Sequence, residues 1–322
     1  DKKNRLIAAD AKFVLKNLYY NKISIITPAV YFIEAGKLKF YTRQFQLSIK
    51  YFSKALTFLK GVNESNFDLF HQATYMTANA YYINGDYIKA VEVIEKLIHN
   101  SRTKQAWFSY ATSQLLKGSS VFVLGKNDEA YYCFSESYKT ANELNLYFTM
   151  AKSMYGLAQI DHKRGLPNMA VSKLLESAEL FSRLDNYYDQ AAVHLKLADL
   201  MIDDKKYIKA GRFLKLLIKN CKKNEIKEFI PYYHLLKGFI FLANNRSNKA
   251  VIEFDQIFIE QQSDIIKLHI LMEICNFCSN SNIKDIGRKY LSELKLFFSI
   301  QRKHLNSKQT DWYQKYIDSF CF

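Results

Sequence analysis

A small residue, a second small residue twelve positions on and a bulky residue four after that recur along most of this chain. The stretch from Gly118 to Phe134, GSSVFVLGKNDEAYYCF, shows the unit most clearly: Gly118, Ala130 and Phe134, with Gly125-Lys126-Asn127 between the small residues. Two helix backbones can touch only where side chains are small, so Gly118 and Ala130 mark a contact between two helices. The glycine turn joins them, and Phe134 covers the contact one turn later. One such hairpin cannot bury its own apolar face, so neighbours must stack on both sides.

The repetition is regular. The second small position falls at Ser48, Ala90, Ala130, Ala170, Ala210 and Ala250, an interval of 42 followed by four of 40. Twelve residues before each stand Gly36, Ala78, Gly118, Ala158, Ala198 and Gly238. Four after each come Phe52, Ile94, Phe134, Leu174, Leu214 and Phe254. This is the grammar of the tetratricopeptide repeat, whose helical hairpin is about 34 residues long. The additional residues are expected in longer second helices and in loops between repeats, such as Ser137 to Phe148. A seventh, degenerate hairpin is expected over 265–279 and 284–299, with Ile274 and Ile286 in the small positions. A short amphipathic helix should cap the array, with Trp312, Tyr316 and Phe320 covering the last core face.

The expected fold is therefore all-α: a right-handed superhelix of about seven hairpins, first helices on the concave side and second helices on the convex side. Its parts are an N-terminal helix or linker (1–28, with a helix over 5–20), the array (29–299) and the C-terminal cap (300–322). Three prolines and ten glycines in 322 residues agree with long helices. No apolar run is long enough to span a membrane, and no membrane partner is expected. Five scattered cysteines suit a reducing cytoplasm; Cys275 and Cys278 are expected to be core residues rather than ligands.

Nothing in the sequence points to catalysis. It has no phosphate loop, HExxH or GxSxG, its seven histidines are dispersed, and no metal or cofactor is expected. The net charge of +15 is concentrated in residues 1–60 and 205–227. Such charge suits an acidic partner, nucleic acid or protein, although a solvated lysine face is expected for 205–227.

Helical phase also places a binding stripe on the first helices, at offsets −6, −3, +1, +4 and +5 from the first small residue. The first hairpin contributes Val30, Ile33, Lys37, Phe40 and Tyr41, and the sixth Tyr232, Leu235, Phe239, Leu242 and Ala243; both sets are mainly apolar. The middle hairpins are mixed: Gln72, Tyr75, Asn79, Tyr82 and Ile83; Thr112, Leu115, Ser119, Phe122 and Val123; Lys152, Tyr155, Gln159, His162 and Lys163; Ala192, Leu195, Asp199, Ile202 and Asp203. An amide side chain both donates and accepts, as the backbone of an extended peptide requires. Asn79 and Gln159 suit that role, while Tyr75, Tyr82, Tyr155 and Phe122 would form pockets. Lys152 and Lys163 suit a carboxylate, and Asp199 and Asp203 a basic residue or an amino terminus.

The 40-residue period, the stretch GKLKFYTRQFQLSIKYFSKAL at 36–56 and the aromatic Tyr81-Tyr82 helix resemble the repeat region of the Rap, NprR and PlcR class, over roughly residues 29–260. These are cytoplasmic receptors of Gram-positive bacteria that bind short signalling peptides in the concave groove. The resemblance implies a regulatory receptor, with Asn79 in the place of the asparagines that hold the peptide backbone. Ser119, Gln159 and Asp199 stand where later asparagines would be. Members also carry an amino-terminal helix-turn-helix DNA reader or a bundle that docks on response regulators. The stretch before the first repeat is too short for either, so the resemblance implies a fragment lacking that module. The partners it implies are a signalling peptide, DNA or an acidic response regulator, and a second copy of the chain. Two other readings remain open. One is a plain interaction scaffold; the other is a chaperone-type adaptor that clamps an acidic tail through Lys37 and Asn79.

Overall fold

Each left-handed backbone position along this chain closes one helix and aims the next. The structure, a computed structural model, describes residues 26–59, 66–260, 264–304 and 307–320. The expected helix over 5–20 lies outside them.

Six hairpins of first and second helices run α1 (Ile26–Tyr41) and α2 (Phe45–Phe58), α3 (Phe67–Ile83) and α4 (Tyr87–Thr103), α5 (Trp107–Val123) and α6 (Asn127–Glu143), α7 (Tyr147–Lys163) and α8 (Pro167–Arg183), α9 (Tyr187–Asp203) and α10 (Tyr207–Lys223), α11 (Ile230–Ala243) and α12 (Ser247–Glu260). A seventh pairs α13 (Asp264–Asn280) with α14 (Lys284–Gln301), and α15 (Ser307–Asp318) ends the array. Among the described residues there is no strand, and the fold is all-α and of tetratricopeptide type.

Positive φ recurs at Gly85, Gln105, Gly125, Asn145, Gly165, Asp185, Lys205, Glu225 and Asn245, one every twenty residues. The turns within hairpins and those joining α4 to α5, α6 to α7 and α8 to α9 are thus the same three-residue device, whereas α10 and α11 are joined by six residues, 224–229. At Gly125 the amide of Lys126 reaches back to the Val121 carbonyl at 3.0 Å, satisfying an end-of-helix acceptor. The same bond closes the connection between hairpins, from Leu146 to Ala141 at 2.8 Å. The expected loop at Ser137 to Phe148 is therefore absent, since helix continues to Glu143. The surplus over the usual repeat lies in the helices, and α3 to α10 are 17 residues each.

The chain divides into two compact units, 1–180 and 181–322. In the first, Phe134 is wedged between two glycines. A Cβ added to Gly118 or to Gly156 would lie 2.8 or 2.6 Å from its ring, so α5, α6 and α7 pack through one aromatic side chain. Ser137 Oγ donates to the Ala111 carbonyl and, forty residues on, Ser177 Oγ to the Ala151 carbonyl, both at 2.8 Å. Lys117 of α5 joins Glu95 of α4 (2.8 Å) to Glu129 of α6 (3.0 Å). Successive first helices lie against one another, α1 on α3, α3 on α5 and α5 on α7.

In the second unit, α9 lies on α11 and α11 on α13. The seventh hairpin is less degenerate than its sequence suggests. Its turn residue is Asn282 (φ 55°), and counting from it as in the other hairpins puts Cys275 and Gly287 in the small positions, not Ile274 and Ile286. Both are buried. The last step is 37 residues rather than 40, which shifts the apparent phase. The cap also differs from expectation. Among its described residues Tyr313 and Ile317 are buried, and Tyr313 packs on Phe298 and hydrogen-bonds His269 Nε2 at 2.8 Å. Trp312 is 53 % exposed and stacks on Tyr316 along the outer side.

Candidate functional site

A helix that packs its small residues against a partner must turn another face outwards, and α3, α5 and α7 turn the stripe that helical phase assigns. Gln72, Tyr75, Asn79 and Tyr82 on α3 are half-buried. So are Thr112, Leu115, Ser119 and Phe122 on α5, and Lys152, Tyr155, Gln159 and His162 on α7. Ile83, Val123 and Lys163 are exposed at the helix ends. Half-burial throughout is what a lining surface requires: a core face would be closed and an outer face open.

The aromatic members are more deeply seated than pocket walls need be. Tyr75 and Tyr82 pack on a cluster of Phe67, Ala78, Ile94, Leu97 and Leu116. Burial pushes the Tyr75 phenol pKa up. Tyr82 rises for the same reason, with the phenol of Tyr87, its ring 5.6 Å away, adding to it. Leu115 and Phe122 lean on the cluster around Val121, Ala130, Phe134, Leu157 and Ile160. These side chains are rigid surfaces held from behind.

The amides differ. Among the described residues, the side-chain amides of Gln72, Asn79 and Gln159 make no hydrogen bond within the protein, although each residue is half-buried. Ser119 Oγ, in contrast, donates to the Leu115 carbonyl of its own helix at 3.0 Å, leaving its lone pairs to accept. One feature was not legible in the sequence. Lys163 Nζ of α7 sits 4.0 Å over the Phe122 ring of α5, a cation–π contact that gathers positive charge on this face. Lys152 Nζ lies 5.7 Å over Phe148, one turn back on its own helix, a pair that helical phase does place.

On the second unit, Asp199 of α9 pairs with Lys196 at 2.7 Å, and Asp203 is exposed. Glu273 of α13 is a third carboxylate of that group. Partial burial raises its pKa, the charges of Asp199 and Asp203 raise it further, and Lys196 opposes them. Phase within α9 could not show it, because Glu273 comes from another hairpin. Several apolar stripe members are core rather than lining: Ile33, Ile202, Leu235, Phe239 and Leu242 are buried. The Phe239 ring stacks on Phe277 at 4.2 Å, which explains why the sixth stripe is closed. Cys275 and Cys278 are also core, and burial pushes both thiols up to about 12.

No protein-family model and no curated protein matches the sequence. Solved structures do match the fold. A Rap protein complexed with competence and sporulation factor aligns with a TM-score of 0.69 at 13% identity, over 91% of this chain and 81% of that one. The apo form of RapI gives 0.71 at 13%, over 85% and 98%. The Rap conjugation gene regulator of plasmid pLS20, in complex with the Phr* peptide, gives 0.62 at 14%, over 88% and 78%. At such identities the likeness establishes the tetratricopeptide fold that this chain shares with Rap proteins.

Proposed function

We propose that this chain is a peptide-binding regulatory receptor whose first-helix face in the first unit holds a short linear signalling peptide. The observation that carries the reading is the set of unpaired amides, Gln72, Asn79 and Gln159, half-buried among rigid aromatic side chains. A peptide backbone brings alternating donors and acceptors, and an amide satisfies one of each without a net charge. Tyr75, Tyr82, Phe122 and Tyr155 supply apolar contact area, Ser119 and His162 further polar contacts, and Lys152 and Lys163 a place for a carboxylate. On the second unit, Asp199 and Asp203 suit a basic side chain. Binding then switches contact with DNA or a response-regulator protein. The likeness to Rap proteins, one of them solved with a peptide, supports the same reading. Lys37 is less available to an acidic-tail clamp than the adaptor reading needs, because it pairs with Glu34 at 2.7 Å.

The test is selection of a random heptapeptide library on the immobilised chain, followed by calorimetric titration of the selected peptide. Asn79→Ala and Gln159→Ala are each expected to weaken binding roughly tenfold, the worth of one or two amide hydrogen bonds, with melting unchanged. Selection of no peptide, or binding indifferent to both changes, contradicts the proposal.

A further inference from the structure

Residues 205–227 hold nine Lys and Arg against Glu225, more than half of the chain's net charge. The structure sets most of them on one side of one helix. α10 contains no acidic residue and buries Ala210, Leu214, Leu217, Asn220 and Cys221. Lys205, Lys209, Arg212, Lys215, Lys219 and Lys222 are all exposed. Lys206 pairs with Asp204 at 2.9 Å, and Lys223 lies 5.7 Å over the Tyr187 ring. Among the described residues the six exposed cations have no carboxylate partner; Asp203, Asp204, Glu225 and Glu228 flank the row at its ends.

Like charges brought together on a folded surface repel one another, so an unpaired row suits a linear polyanion. A 17-residue helix is about 26 Å long. One strand of duplex DNA places a phosphate about every 3.4 Å, roughly eight over that length, close to the number of cations in and beside α10. Lysine acts as a point charge, suited to phosphate and poor at reading base edges. The apolar residues exposed on this face are Ile208 (79 %) and Leu216 (47 %), with Arg212 between them. They form no continuous patch of the kind that protein docking or insertion into a bilayer uses. Tyr207 and Phe213 are half-buried, so the face lacks the open aromatic rings on which unpaired RNA bases stack. We propose that the outer face of α10 binds the phosphate backbone of duplex DNA without regard to sequence. The proposal stands on α10 alone and is independent of the peptide-receptor reading.

Fluorescence anisotropy with a labelled duplex of random sequence, about 20 base pairs long and in about 50 mM KCl, tests it. Binding is expected, and the logarithm of affinity should fall against the logarithm of salt with a slope of about −4 to −5, the signature of roughly five phosphate contacts. Changing Lys209, Arg212, Lys215 and Lys219 together to Glu should cost at least about 100-fold. The same four changed to Gln, a milder set for the fold, should still lose most of the binding. Lys89→Glu with Lys96→Glu, on the first unit, should change nothing, and Ile208→Ser with Leu216→Ser should stay within about twofold. Absence of binding, or binding unaffected by either four-residue variant, overturns the proposal. So does tighter binding to anionic phosphatidylglycerol vesicles or to single-stranded RNA than to the duplex.

Discussion

Phe134 does the work of two contacts. Its ring meets Gly118 of its own hairpin and Gly156 of the next, so it cannot retreat from one glycine without meeting the other. Gly156→Ala is therefore expected to destabilise the protein by about 1–3 kcal/mol, the usual cost of overpacking, with Phe134→Leu in the same chain recovering part of it. Thermal unfolding of the single and double variants reads this; an unchanged melting temperature in Gly156→Ala contradicts the wedge. Gly118 is legible in the sequence because it falls on the forty-residue period. Gly156 is not, since it stands two residues before Ala158 and its partner belongs to the preceding hairpin. The same limit hid the Lys163–Phe122 contact and Glu273: helical phase tells which way a side chain points, and never what the neighbouring hairpin places opposite it.

Among the elements, the fourth hairpin departs from its neighbours. Asp161 of α7 is buried and pairs with Lys173 of α8 at 2.5 Å. Tyr81, Val121, Met201 and Phe241 occupy the corresponding positions of other hairpins. Removing one member of a buried ion pair strands the other, whereas replacing both by apolar residues is often neutral. Asp161→Ala should cost about 2–3 kcal/mol, below the upper range because Lys173 can turn partly to solvent. Asp161→Val with Lys173→Leu should return close to the parent, measured by urea unfolding. A double variant as weak as the single one would show that the pair itself stabilises the hairpin. The elements were largely legible in the sequence, since hairpin number and order follow from small-residue spacing. Two misplacements have physical causes. The loop expected between repeats is helix because a left-handed residue need not be glycine, as Gln105, Asn145 and Asp185 show. The last hairpin was displaced by one because a shortened step of 37 residues put Ile274 and Ile286 one place before the true small positions.

For the whole molecule, charge couples stability to pH. Burial lowers the pKa of His71, against the opposing charge of Asp68, and lowers those of His194 and His269. A histidine whose folded pKa lies below its ordinary 6.5 contributes stability that is complete above that value and is lost as pH falls towards the folded pKa, because the unfolded chain takes up its proton first. Glu273 and Glu293 act in the opposite direction, since burial raises their folded values above 4.5. The melting temperature should fall between about pH 7.5 and about pH 6, and His71→Gln with His194→Gln should flatten that fall. An identical slope in the double variant would exclude the histidines as its source. Such effects, like the unpaired row on α10, depend on burial and neighbours that composition alone does not reveal.

On the proposed reading, packing and ligand contact are interleaved on the same first helices, one residue apart. Gly118 and its neighbour Ser119 test it most directly, by melting and by titration with a peptide selected on the parent chain. Gly118→Leu is expected to abolish cooperative unfolding of the first unit by driving a side chain into the Phe134 ring. Ser119→Leu should leave the melting temperature within about 2 °C, as for a substitution outside the core, and weaken peptide binding severalfold. If Ser119→Leu destabilises as Gly118→Leu does, or leaves the affinity unchanged, the binding face does not lie where α5 turns Ser119 and Phe122.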